Sequence, residues 1–83
     1  VNAVVEPQEL NDEIDKLIQT LEANAPLSLR ATKQMMLAGL DEPSLEAAFA
    51  GSYPAYETML ASEDAVEGPL AFSQKRKPKW RAR

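Results

Sequence analysis

The sequence predicts an all-α chain of three to four amphipathic helices, preceded by one short orphan strand. Three observations carry that prediction. Apolar residues from Leu10 onwards recur at helical spacing, prolines and glycines cut the chain into helix-length pieces, and only "VNAVVE" at residues 1–6 reads as extended. No second strand-like run exists to pair with it. An isolated strand is not stable in water, so residues 1–7 are expected to be the edge of a larger missing domain.

Each helix can be justified in turn. From Glu9 to Ala23 the apolar residues Leu10, Ile14, Leu17, Ile18 and Leu21 trace one helical face. The other face carries Asp12, Glu13, Asp15, Lys16 and Glu22, with acids in the first turns where the helix dipole favours them. Asp12 and Lys16 have the spacing of a favourable i,i+4 pair. "NAP" then ends the helix, and Pro26 suits the first position of a second one. That second helix should run to Gly39 as its C′ residue. Its stripe of Leu27, Ala31, Met35 and Ala38 is widened by Met36 and Leu37, as expected of a helix packed on more than one side.

A third helix is predicted after Asp41 as N-cap, carrying Leu45, Ala48, Phe49, Tyr56, Met59 and Leu60. Pro54 removes a donor and disfavours α geometry at Tyr53, so a kink or break is expected around residues 51–54. The last helix is short. Asp64 and Glu67 have the spacing of an N-cap and N3 pair, and Pro78 should stop the helix near Arg76. Met35, Met36 and Met59 read as core or interface filling, and Tyr53 and Tyr56 as packing residues.

Composition removes whole classes of chemistry. There is neither cysteine nor histidine, which excludes disulfides, Cys/His zinc sites and His-based nucleophilic triads. Adjacent acids such as Glu63 and Asp64 point in different directions on a helix, which fits capping better than acid/base catalysis. No apolar run approaches the roughly 18 residues of a membrane span, and the N-terminus lacks a basic signal region. Neither a membrane nor a covalently bound cofactor is expected, and the expected location is cytoplasmic. The missing initiator Met and the orphan strand suggest a piece of a longer protein.

Charge is sharply segregated. Residues 1–74 hold all thirteen acids against three basic residues, a net −10, while residues 75–83 carry six basic residues and no acid. Read alone, the basic run could be a solvated tail, a nucleic-acid arm or one wall of an anion site. The acidic body would repel phosphate along a nucleic-acid backbone, so no nucleic-acid partner is expected.

Two further motifs narrow the choice. "NAPLSLRATKQMM" and the run S-E-D-x-x-E-G-P-x-A-F-x-x-K-R-x-P-x-W at residues 62–80 follow "VNAVVEPQEL" in fixed order. In this order and spacing the chain resembles the C-terminal segment of an enoyl-CoA hydratase/isomerase of the crotonase superfamily. The resemblance implies that residues 1–7 end a spiral core and residues 8–83 form the helical oligomerisation region of a homotrimer or hexamer. It implies an acyl-CoA thioester substrate for the intact enzyme. The oxyanion hole and catalytic carboxylates would then lie in the missing N-terminal core, so no catalytic residue and no metal ligand is assigned within this chain. It implies lyase or isomerase chemistry in fatty-acid metabolism, but hydratase is not separated from isomerase, dehalogenase, decarboxylase or hydrolase.

Two residues are assigned to coenzyme A by the same resemblance, Phe72 and Lys75. An aromatic ring can pack on adenine and an ammonium can pair with the 3′-phosphate, and a spacing of three would put both on one helical face. The family commonly has Glu before this Lys; here Gln74 stands there. Arg76 is expected to pair with an acid or cap the helix, and Trp80 to anchor the tail. Lys79, Arg81 and Arg83 are expected to be solvated. The alternative is a free-standing acidic helical interaction module without enzymatic activity.

Overall fold

Residues 1–83 are described by a computed structural model of the chain, which is all-helical. Residues 1–6 form no strand. They run extended into Glu6 (φ −66°, ψ 150°) without a ladder. A strand needs a partner for its N–H and C=O groups, and these 83 residues offer none. A 3-10 turn at Pro7–Glu9 follows, where the Glu9 carboxylate accepts from the Glu6 N–H at 3.3 Å.

Five α-helices complete the chain: α1 Leu10–Glu22, α2 Pro26–Gly39, α3 Leu45–Ala50, α4 Pro54–Leu60 and α5 Glu63–Ser73. The predicted third helix is thus two, separated at residues 51–53 and restarted with Pro54 in the first turn of α4. Several local expectations are corrected. Lys16 pairs with Glu13 at 3.4 Å rather than with Asp12. Gly39 is the last residue of α2 and Leu40 continues in right-handed geometry, so no left-handed glycine cap forms. Ser44 rather than Asp41 caps α3, accepting from the Ala47 N–H at 3.1 Å. Ser62 rather than Asp64 caps α5, accepting from the Ala65 N–H at 3.2 Å. In both cases a serine hydroxyl lies one residue before the first helical turn and reaches the N3 amide.

The main helix–helix contact is between α2 and α4. Leu27 and Ala31 of α2 are buried. Tyr53, at the start of α4, is buried too, and its hydroxyl donates to the Ala48 carbonyl. The Gln34 side-chain oxygen accepts from the Ala55 N–H at 2.8 Å, so α2 satisfies one free donor at the start of α4. Gly51 lies under the Tyr53 ring. A Cβ there would sit 2.8 Å from the Tyr53 hydroxyl oxygen and 2.9 Å from Cζ. The break between α3 and α4 therefore rests on close approach as well as on Pro54.

Most of the apolar surface is not covered within the chain. The ladder of α1, Leu10, Ile14, Leu17, Ile18 and Leu21, stays exposed, as do Leu40, Leu45 and Phe49 around the α2–α3 turn. Only six residues are buried. The accessible surface is 7005 Å², against about 4,900 Å² for a compact monomer of this mass. The radius of gyration is 16.3 Å, where a compact chain of this length has about 12 Å. The helices form an open slab of 45 × 38 × 19 Å.

Gly51→Ala is expected to destabilise the intact protein by about 1–3 kcal/mol in urea denaturation, because the added Cβ overlaps the Tyr53 ring. The extra loss should shrink in a Tyr53→Ala background. An undiminished loss there would mean that the clash is not its cause.

Candidate functional site

The basic run of residues 75–83 folds back along α5. The turn that starts it is a Schellman cap. The Arg76 N–H donates to the Ala71 carbonyl at 3.0 Å and the Lys75 N–H to the Phe72 carbonyl at 3.1 Å. The left-handed position of such a cap usually holds glycine, but here it holds Lys75, with φ 53°. For a residue with a Cβ that conformation costs roughly 1–2 kcal/mol.

Three carboxylates of α5 hold the returning chain. The Glu67 carboxylate accepts the Arg76 guanidinium in a two-pronged pair, at 2.6 Å from Nη1 and 2.9 Å from Nη2. Its Oε1 also accepts from the Lys79 N–H at 2.7 Å. Asp64 is buried and accepts from the Arg81 and Ala82 N–H groups, both at 2.8 Å, while its own N–H donates to the Arg83 carbonyl at 3.1 Å. Glu63 meets Arg83 at 3.3 Å and Arg81 at 3.7 Å, with all three side chains well exposed. Trp80 fixes the far end. Its indole N–H donates to the Ala23 carbonyl at 3.0 Å, and its ring lies over Gly68, where a Cβ would be 3.3 Å away.

The cations are thereby sorted. All three arginines of the run meet acids, whereas the ammonium groups of Lys75, Lys77 and Lys79 have no carboxylate within 4 Å. Hydrogen bonds from Arg76, then the Lys79 N–H, lower the Glu67 pKa from 4.5 to about 2. The same pair raises that of Arg76.

The structure places Phe72 in the last turn of α5 and Lys75 beyond it. They do not share a helical face, because α5 ends at Ser73 instead of near Arg76. The Lys75 N–H to Phe72 carbonyl bond nevertheless keeps their backbones together. Phe72 is 86% exposed, so within this chain it packs in no core. Arg76 takes the structural role expected of it and Trp80 anchors the tail. Arg81 and Arg83 are exposed yet paired. The tail-holding roles of Asp64 and Glu67 were not apparent in the sequence. Three acids just before a Pro-broken basic run are the signal that could have shown them.

The family profile described as enoyl-CoA hydratase/isomerase matches residues 1–83. The chain is 42% identical to carnitinyl-CoA dehydratase of Escherichia coli K12 over 86 residues, and 42% identical to that of Salmonella arizonae over 85. It is covered in full by the first match and to 98% by the second, and spans only about a third of either relative (33% and 32%). Among solved structures, it superposes with a TM-score of 0.90 at 35% identity on a protein of Novosphingobium aromaticivorans assigned to the short chain enoyl-CoA hydratases. That match covers all of this chain and 32% of the other. An enoyl-CoA hydratase/isomerase from Mycobacterium paratuberculosis gives a TM-score of 0.85 at 38% identity, over 95% of this chain and 31% of the other. The chain belongs to the enoyl-CoA hydratase/isomerase family.

Two outcomes follow for the tail. The carboxylate of Glu67 titrates near 4.5 when unfolded and near 2 when clamped, so its contribution is complete above pH 4.5 and fades as pH falls towards 2. The Trp80 indole resonance in the intact protein should shift towards its solvent-exposed position across that window. A Trp80 signal indifferent to pH from 4.5 to 2 would contradict the clamp. Separately, Lys75→Gly should stabilise the protein to urea by about 1 kcal/mol, since glycine removes the left-handed strain. A loss of stability would mean that the Lys75 side chain itself holds the cap.

Proposed function

We propose that these residues form the C-terminal helical part of an enzyme that acts on acyl-CoA thioesters. Residues 1–7 lead out of the catalytic core and residues 8–83 build contacts between subunits of a homotrimer or hexamer. The carnitinyl-CoA dehydratases at 42% identity favour addition or elimination of water on the thioester as the reaction class. The groups that stabilise the thioester enolate and move its proton belong, in this reading, to the part of the protein outside these 83 residues.

The observation that carries the reading is the end of α5. There an exposed aromatic ring, Phe72, stands next to an unpaired ammonium, Lys75, while every neighbouring arginine is already engaged. Phe72 would pack on the adenine and Lys75 would pair with the 3′-phosphate of coenzyme A in a neighbouring active site. A shielded charge-assisted contact of this type stabilises binding by about 1.5–3 kcal/mol. A free-standing interaction module is less well supported, because the uncovered faces of α1 and the α2–α3 turn are too extensive for a stable monomer.

The test is Lys75→Ala in the full-length protein. Its KM for an acyl-CoA should rise roughly ten- to hundredfold with kcat nearly unchanged, and barely move for the matching 3′-dephospho thioester. Equal losses for both substrates would remove the phosphate contact.

A further inference from the structure

The Glu67–Arg76 pair has a location that matters for Lys75. Arg76 follows Lys75 directly, and its Nε donates to the Gln74 side-chain oxygen at 2.7 Å. One guanidinium therefore ties together the side chains on both sides of Lys75 and fixes the pair to α5 through Glu67. Glu67 also holds the Lys79 N–H, so the chain is pinned again three residues after Arg76. Between these anchors Lys75 keeps a left-handed backbone that it would not adopt unaided. Strain of this kind persists only where the surroundings over-determine it.

We propose that Glu67 is a positioning residue for anion recognition: through Arg76 it holds Lys75 in its left-handed conformation and so sets where the ammonium points. The inference rests on the assignment of Lys75 to the 3′-phosphate and adds a residue that touches no ligand. Glu67 sits two turns before the cap on the same helix. Its carboxylate is matched by the Arg76 guanidinium and also accepts from the Lys79 N–H, so its charge is largely offset at the pair itself. Gln74 contributes to the same arrangement. It accepts from Arg76 as a Glu would, without placing a second negative charge beside Lys75.

The experiment compares Glu67→Gln, Lys75→Ala and the double variant in the full-length protein, each with an acyl-CoA and its 3′-dephospho counterpart. Glu67→Gln removes the charge but keeps the shape. It should raise KM for the acyl-CoA about three- to tenfold with kcat nearly unchanged, and leave the dephospho substrate unaffected. Added to Lys75→Ala it should cost nothing further, because it acts through that lysine. Arg76→Gln breaks the same pair from the other side and should reproduce the effect, which covers the case where Glu67→Gln folds poorly. The proposal is overturned if Glu67→Gln and Arg76→Gln weaken both substrates alike, if their losses add in full to that of Lys75→Ala, or if they do nothing while Lys75→Ala retains its phosphate-dependent defect. Failure of the underlying assignment is visible separately, as a Lys75→Ala variant that does not distinguish the two substrates.

Discussion

The two-pronged ion pair between Glu67 and Arg76 is the interaction on which the return of the C-terminal tail along α5 depends. It joins the middle of α5 to the residue just past its end, and the Lys79 N–H shares the same carboxylate. The tail reverses direction there, and everything beyond is secured by groups the reversal brings into reach. Asp64 can gather the amides of Arg81 and Ala82 only because the chain has already turned. Trp80 reaches the end of α1 for the same reason. Exposed ion pairs contribute little as a rule, but planar, two-pronged geometry and a shared backbone donor distinguish this one.

The distribution of charge acquires a physical meaning from that arrangement. A run of six cations after an acidic body looks like an open electrostatic surface, yet its three arginines are paired with α5, Arg76 with Glu67 and both Arg81 and Arg83 with Glu63. What remains is a set of lysines, compact and flexible point charges suited to a phosphate. Arginine supplies the fixed geometry and lysine the free charge. The same division explains why a strained backbone occurs at Lys75: the surrounding scaffold is rigid enough to impose it.

The helical class, the break before Pro54 and the anchoring by Trp80 were legible in the sequence, because each follows from periodicity, proline chemistry or an isolated aromatic. Caps were misplaced where two candidates competed: Asp41 and Asp64 have the right chemistry, but Ser44 and Ser62 have the right position relative to the first turn. Pro78 alone would place the end of α5 near Arg76, but the helix ends at Ser73. A left-handed lysine cap ends the helix earlier, and lysine does not advertise that conformation as glycine would. Phe72 and Lys75 are singled out by family resemblance alone, whereas their displacement from a common face, and the clamp behind Lys75, need coordinates. Such long-range pairings leave only a weak trace of complementary charge in one sequence.

The indole of Trp80 spans 57 positions of the chain to reach Ala23. It acts as a buckle, turning a linear run of helices into a closed belt whose two ends share one hydrogen bond. The leucine and isoleucine ladder of α1 is thereby joined to the C-terminal return, although it lies far from Lys75 in sequence.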